Sequence, residues 1–400
     1  MNVPSAAFSA SGLREPLTGR HLPSEPNKAL IDQAIADALS RIDKGLQQYG
    51  DQFPMPSSVN HVYASMDNTE WTNGFWTGQL WLAYELSGDD KYRQAAERQV
   101  ESFHHRIHNR INVDHHDLGF LYSLSCVAAC KLTGSPLARE AGVEAARVLL
   151  TRYLPKAGII QAWGNLYDPE EAGRMIIDCN LNLPLLYWAT EQTGDLAFAD
   201  AADNHIRQAQ KYIVRSDAST FHTYYMDTVS GLPKRGTTHQ GYSDESCWAR
   251  GQAWGIAGFP LVYRYCRDTS LIETSARLAN YFLNRLPEDL VCCWDLIFTG
   301  PPHERDSSAA AIAACGLLEL GKSIPLTDPD ASAYRLSAVA IIESLIRDYA
   351  ARPADQGAGL LKHGVYHMPK RIGVDEYNLW GDYFYLEALT RLTRVWEPYW

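Results

Sequence analysis

Two kinds of helical pattern alternate along this chain. One is apolar on nearly every face; the other carries an apolar stripe at steps of three and four, with polar residues between. The striped kind comes first: from near Pro26 to about Tyr49, Ile31, Ile35, Ala38, Ile42, Leu46 and Tyr49 share one helical face. The two kinds are then joined as hairpins in GQLWLAYELSGDDKYRQAAERQV, GFLYSLSCVAACKLTGSPLAREAGVEAARVLL and LPLLYWATEQTGDLAFADAADNHIRQAQKYI. Weaker copies follow in GIAGFPLVYRYCRDTSLIETSARLANYFL and AAIAACGLLELGKSIPLTDPDASAYRLSAVAIIESL. The last helix, YFYLEALTRLTRVW, opens a sixth copy, for which the N-terminal helix supplies the missing partner.

The hairpins turn at Ser-Gly-Asp 87–89, Thr-Gly-Ser 133–135 and Thr-Gly-Asp 193–195. Glycine there supplies the left-handed residue that ends one helix, and the Asp or Ser after it caps the next. A helix apolar all round belongs inside, covered by its striped partner. These rules predict an all-α toroid of six helical hairpins, an (α/α)6 barrel, over residues 26–400 as a single catalytic domain. Residues 1–25, rich in Ser, Pro and Gly without periodicity, read as an irregular arm. An open α-solenoid is the rival architecture, but solenoids keep a fixed period. Here Gly88, Gly134 and Gly194 stand 46 and then 60 residues apart. A toroid tolerates such long loops and gathers them at one mouth.

Charge narrows the class of partner. With 36 Lys+Arg against 47 Asp+Glu the net charge is −11, and there is no basic run. Phosphate backbones need a clustered positive face, so no nucleic-acid partner is expected. No apolar run approaches about 18 residues, so no membrane span is expected either. The eight cysteines form no CxxC pair and read as reduced thiols, and the N-terminus lacks a signal-peptide pattern; both point to a cytoplasmic protein. Eleven Trp and 22 Tyr suit both packing and sugar-binding clefts.

Three stretches carry candidate chemistry. In His115-His116-Asp117-Leu118, Asp117 is placed to cap the helix beginning at Leu118, yet capping leaves two adjacent histidines unexplained. Asp178 follows Ile176 and Ile177 where a loop runs into an inner helix. An apolar setting and a second carboxylate nearby would both raise its pKa, as general-acid catalysis requires. The densest stretch is TTHQGYSDESCWARGQAWG, residues 237–255, where Arg250 and Trp254 lie four apart on one helical face. That pair fits a guanidinium on a carboxylate beside an indole on a sugar ring; an Arg capping backbone carbonyls beside a core Trp is the plainer alternative. Trp71 and Trp163 sit in loops before helices and admit both packing and stacking roles. His104/His108 and His363/His367 are spaced four apart, but neither pair has the Glu of an HExxH helix, so no metal is expected. No GxGxxG, P-loop or GxSxG is present.

The blocks WTNGFWTGQLWLAYELSGD, HHDLGFLYS, MIIDCNLNLPLLYWA, THQGYSDESCWARGQAWGIAGF, RDSSAAAIAACGLLEL and GVDEYNLWGDYFYLEAL run in order from about residue 70 to the C-terminus. Together they resemble the unsaturated glucuronyl hydrolases, glycoside hydrolase family 88. The resemblance implies an (α/α)6 barrel with its pocket at one mouth and no cofactor. It implies action on the 4,5-unsaturated uronic acid at the non-reducing end of a lyase-cut, glycosaminoglycan-type oligosaccharide, by hydration of the C4–C5 vinyl ether. Matched block by block, Asp178 resembles the general acid/base and Asp117 the assisting carboxylate. Trp71, His116, Trp163, His222, His239, Gln240, Arg250, Trp254 and Tyr366 resemble the sugar-contacting set. A small acidic substrate suits a negatively charged protein with a local arginine better than an intact polyanion does. Three rivals stay open: an unsaturated rhamnogalacturonyl hydrolase, a sugar epimerase on the same fold, and a sugar-binding toroid with no need of Asp178. Tolerance of sulfate is expected to rest on the loop 362–371, with Lys362, Lys370 and Arg371.

Overall fold

The structure, a computed structural model, describes residues 23, 25–325 and 327–400. Apart from residues 23 and 25, the N-terminal arm expected at 1–25 lies outside the described residues. Six inner helices form the wall of the barrel: α2 (Asn73–Ser87), α4, α6 (Leu183–Thr193), α8 (Ala249–Cys266), α10 (Ser307–Ser323) and α12 (Leu379–Thr393). Helix α4 spans 118–133, with a π-helical turn at Ser123–Val127 between α-helical Leu118–Tyr122 and Ala128–Thr133. Each inner helix packs against the next, and α12 returns to α2, so the ring closes. The outer helices are α1 (Lys28–Tyr49), α3 (Asp90–His108), α5 (Pro136–Leu150), α7 (Leu196–Gln208), α9 (Thr269–Leu283) and α11 (Pro329–Ser344). Helix α1 packs on α12, completing the sixth hairpin as the pattern predicts.

Burial follows the two sequence patterns. Residues 73–83 of α2 are all buried, whereas α3 buries Tyr92, Ala95, Ala96, Gln99, Val100, Phe103, Arg106 and Ile107, a single stripe. The turn markers also behave as read. Gly88, Gly134 and Gly194 have φ of 71°, 69° and 76°, and the side chains of Asp89, Ser135 and Asp195 accept from backbone N–H groups of the next helix. Between α8 and α9 the left-handed position is taken by Arg267 (φ 57°) ahead of Asp268 as cap. That explains why the fourth copy looked weak: the geometry is kept without the glycine. No described helix is long and apolar enough to cross a membrane. All eight cysteines are free thiols, with only Cys130 and Cys266 partly exposed.

Because inner helices alternate with antiparallel outer ones, all six inner N-termini meet at one mouth. The loops there carry short strands: β1 (Phe53–Pro54) with β2 (Ser65–Met66), β3 (Tyr153–Leu154) with β4 (Ile159–Ile160), and β5 (Arg174–Ile176), β6 (Thr223–Met226) and β7 (Pro233–Thr237) in one antiparallel sheet. The last pair is β8 (Gly364–His367) with β9 (Ile372–Glu376). Ile176 pairs with Thr223, and Thr223 with Thr237. This one row of the sheet fixes the chain just beside Asp178, His222 and His239. The opposite end of the barrel is closed by residues 394–400. The Trp400 ring stacks on Phe384 at 5.8 Å, and its indole donates to Glu387 at 2.9 Å.

Candidate active site

At the mouth a cavity of about 290 Å³ is lined by Trp71, Asp117, Trp163, Asp178, His222, His239, Gln240, Arg250, Trp254 and Tyr366. Every catalytic and sugar-contacting residue that the resemblance implied therefore reaches this cavity except His116, which lies wholly buried beside the two aspartates. Of the three basic residues expected to set sulfate tolerance only Lys370 lines it, while Lys362 pairs with Asp355 and Arg371 with Glu304. Trp248, His367, Lys370 and Ile372 complete the lining. Trp248 stands two positions before Arg250 in the stretch 237–255, and His367, noted in the sequence only for its spacing from His363, is next to Tyr366. Ile372 had none.

Asp117 and Asp178 come together although 61 positions separate them in the sequence. Asp117 stands at the N-cap of α4 but makes no capping hydrogen bond. The cap is provided from outside: Asn182 Oδ1 accepts from the Phe120 N–H at 2.8 Å, while Asn182 Nδ2 reaches the Asp178 carbonyl at 3.3 Å. This approach needs Gly119, since a Cβ there would lie 2.3 Å from Asn182 Cα. One asparagine thus frees the Asp117 carboxylate and ties together the two segments that carry the acids. The capping role that the sequence allowed for Asp117 is not the one it has.

His116 Nε2 lies 3.2 Å from Asp117 Oδ1 and 3.6 Å from Asp178 Oδ1, and carboxylate oxygens and ring nitrogen all fall within 4.8 Å of one another. On its other side, Asp117 Oδ2 is 3.2 Å from His115 Nδ1. Burial opposes charge on His116, but the two carboxylates outweigh it and hold the imidazolium well above its usual pKa. Burial also pushes the Asp117 carboxyl up; the adjacent His116 charge and the His115 hydrogen bond bring it below the usual carboxylate range. For Asp178 burial wins: His116 lowers its pKa, Asp117 raises it, and the carboxyl settles at about 6. Two like residues are thereby split into a base-form and an acid-form partner. The same three groups have the spacing of a cation site; with His116 protonated, the positive charge between the carboxylates comes from the protein itself.

The walls are braced rather than loose. Trp71 stacks on Trp380 at 5.3 Å, and its indole donates to the Tyr366 hydroxyl at 3.1 Å. Arg174 lies over the Trp163 ring at 5.1 Å. The His222 Nδ1 accepts from the His239 and Gln240 N–H groups at 3.0 and 3.2 Å, so burial, which drives its pKa well down, leaves a neutral ring that shapes the loop. Burial first, then neighbouring His239, Lys370 and Arg250, lowers His367 to about 4. Arg250 sits between the Trp248 and Trp380 rings, 4.4 and 4.7 Å away. It donates to Gln240 Oε1 at 2.9 Å, to the carbonyls of Val365 and Tyr366, and pairs with Asp306 at 3.4 Å. The carbonyl-capping role is thus realised, while the same guanidinium still borders the cavity.

An all-α toroid whose inner helix N-termini present a split aspartate pair among tryptophans belongs to the class of carbohydrate-active hydrolases. Residues 48–394 match the model of Glycosyl Hydrolase Family 88, and the chain belongs to that family. It is 50% identical over 371 residues to the unsaturated chondroitin disaccharide hydrolase of Streptococcus pyogenes serotype M1, covering 92% of this chain and 93% of that one. The crystal structure of an unsaturated glucuronyl hydrolase from Streptococcus agalactiae superposes with a TM-score of 0.94 at 47% identity, covering 100% of both chains. A mutant of the latter with one aspartate changed to asparagine, complexed with dGlcA-GalNAc6S, matches with a TM-score of 0.86 at 45% identity over 100% of both chains.

Proposed function

We propose that this enzyme removes the 4,5-unsaturated uronic acid from the non-reducing end of short glycosaminoglycan fragments, and that Asp178 and Asp117 carry the reaction. The observation that supports it most directly is the split pair: a carboxylic acid protonated to about pH 6 and a carboxylate held ionised, bracketing one buried imidazolium. The unsaturated ring holds a C4–C5 double bond conjugated to its ring oxygen. Protonated Asp178 gives its proton to C4, leaving an oxocarbenium-like cation at C5. The Asp178 carboxylate then accepts a proton from the water that adds at C5. The hemiketal opens to a ketone, which frees a hemiacetal at C1, and this expels the next sugar. No displacement occurs at the anomeric carbon, so the separation of the two carboxylates says nothing about stereochemistry. Asp117 keeps its neighbour protonated by like-charge repulsion and is placed to orient hydroxyls.

The pocket fits an acidic sugar of one or two rings. Trp71, Trp163 and Trp254 offer faces for stacking, and the inner helix N-termini favour an anion. Lys370 in the lining supplies a positive charge suited to a sulfate on the second sugar. The rhamnogalacturonyl alternative shares the reaction, and neither the epimerase nor the non-catalytic reading calls for the split pair. The decisive test is Asp178→Asn. Loss of the ultraviolet absorbance of the unsaturated uronate should slow by at least about 10³-fold with the fold intact, within the range for a lost general acid. A variant retaining more than a tenth of the activity would overturn the assignment. In the parent enzyme kcat/KM should fall as pH rises through about 6, while Asp117, held low, gives no acid limb in the accessible range.

A further inference from the structure

On the outer ring, outside the cavity at the mouth, α3 and α5 pack side by side. His104 and His108 lie one turn apart on α3, and α5 brings Glu140 against them. The sequence left this histidine pair without a carboxylate because the carboxylate comes from the neighbouring hairpin. Glu140 Oε1 stands 3.2 Å from His108 Nε2 and 3.8 Å from His104 Nε2, and the three ligand atoms all lie within 4.8 Å of one another. The two rings stack at 4.1 Å with 28° between their planes. His108 Nδ1 is 3.0 Å from the His104 carbonyl, to which only a protonated Nδ1 can donate. With Nδ1 engaged there, Nε2 is the nitrogen turned toward Glu140 and the one that can give its lone pair to an ion, the outer support that metal-binding histidines normally have. His105, on the same turn, is not part of the group; its Nδ1 is bonded to Asn109.

From this geometry we infer a site for a borderline divalent transition-metal ion such as zinc, held by His104, His108 and Glu140. Ligands about 2.0–2.1 Å from a tetrahedral zinc stand about 3.3 Å apart, close to the spacings already present. Two imidazoles and one carboxylate suit zinc, nickel or copper and disfavour magnesium and calcium. The three side chains are 27%, 37% and 62% exposed, so solvent can complete the coordination sphere. An ion here staples two adjacent hairpins on the outside of the ring. It acts on stability and leaves the chemistry at the mouth untouched.

Titration of the full-length enzyme with Zn2+, followed by calorimetry, should give one site per chain. His104→Ala and His108→Ala should each weaken it at least tenfold, while His363→Ala leaves it unchanged. Free zinc at 100-fold above the Kd should raise the Tm of the parent by about 3 °C and that of the double histidine variant not at all. Mg2+ should do neither, and hydrolysis should proceed at the same rate with the site filled. The three groups are a plain ion pair, and the inference fails, if zinc does not bind. It fails equally if binding survives both histidine changes, or if zinc binds only where it blocks hydrolysis, at His116 and the aspartates.

Discussion

The two ends of the barrel are made by the same six inner helices, yet they treat buried polar groups in opposite ways. At the closed end Arg391 is sandwiched between carboxylates, 2.6 Å from Glu319 and 2.8 Å from Glu387. Glu387 also accepts from the Trp400 indole, and Glu319 from Arg264 at 3.2 Å. At the mouth His116 Nδ1 and the side-chain amide of Asn180 have no hydrogen-bond partner among the described residues, and His116 Nε2 meets Asp117 and Asp178 as an ion pair at 3.2 and 3.6 Å. Polar groups are buried at either end; the arginine–glutamate cluster of the closed end is hydrogen-bonded within the chain, while the acid–histidine cluster of the mouth is only partly so. In an enzyme that difference marks where stability is made and where substrate is awaited.

The contrast can be broken from either side. The largest effect belongs to Asp178→Asn, whose loss of activity should be accompanied by a gain in stability. A carboxyl with a folded pKa of about 6 and an unfolded one near 4 favours folding only while protonated. Its contribution is full below pH ~4 and lost as pH rises through 6. Asparagine has no such dependence, so urea denaturation at pH 7.5 should find the variant more stable by on the order of 1–2 kcal/mol, with the gap closing below pH 4. At the closed end Arg391→Ala should cost about 3–5 kcal/mol in the same measurement, because two buried carboxylates lose their partner. The kcat/KM of its folded fraction should stay near the parent value; a parallel collapse of kcat would show that the two ends are coupled. Asn182→Ala is intermediate: about 1 kcal/mol of stability from the lost cap, and about 10–100-fold in kcat with little change in KM, as the acids drift apart. The smallest effect is Lys370→Ala, expected to raise KM by about 3–5-fold for a sulfated disaccharide and to leave the unsulfated one unaffected. Equal changes for both would remove Lys370 from sulfate recognition.

Much of this is legible in the sequence alone, and the exceptions have physical causes. The inner and outer helices were legible because burial on all faces and burial on one stripe leave different periods in the sequence. Glycine marked three of the turns; the turn at Arg267 escaped because a left-handed residue need not be glycine. The short mouth strands were missed, since two to five residues carry too little pattern. Asp117 and Asp178 were legible as residues, and the desolvation of Asp178 followed from Ile176 and Ile177. Their pairing through His116 was not, and neither was the cap lent by Asn182, because both are contacts between different hairpins. The same limit hid Glu140 from His104 and His108. Local chemistry is written locally; what joins one hairpin to another becomes visible only when the ring closes.

The imidazolium of His116 has a last consequence, for how an anion gets in. Near pH 6 the floor of the pocket carries Asp117 negative, His116 positive and Asp178 half protonated, while Arg250 is matched by Asp306 and Lys370 adds a positive rim. The local sum is near zero or slightly positive inside a molecule of net charge −11. Once Asp178 has ionised, that sum falls to zero, so a sugar carboxylate loses its net attraction as the proposed proton donor disappears. In the proposed reaction, admission and turnover would both depend on the same proton.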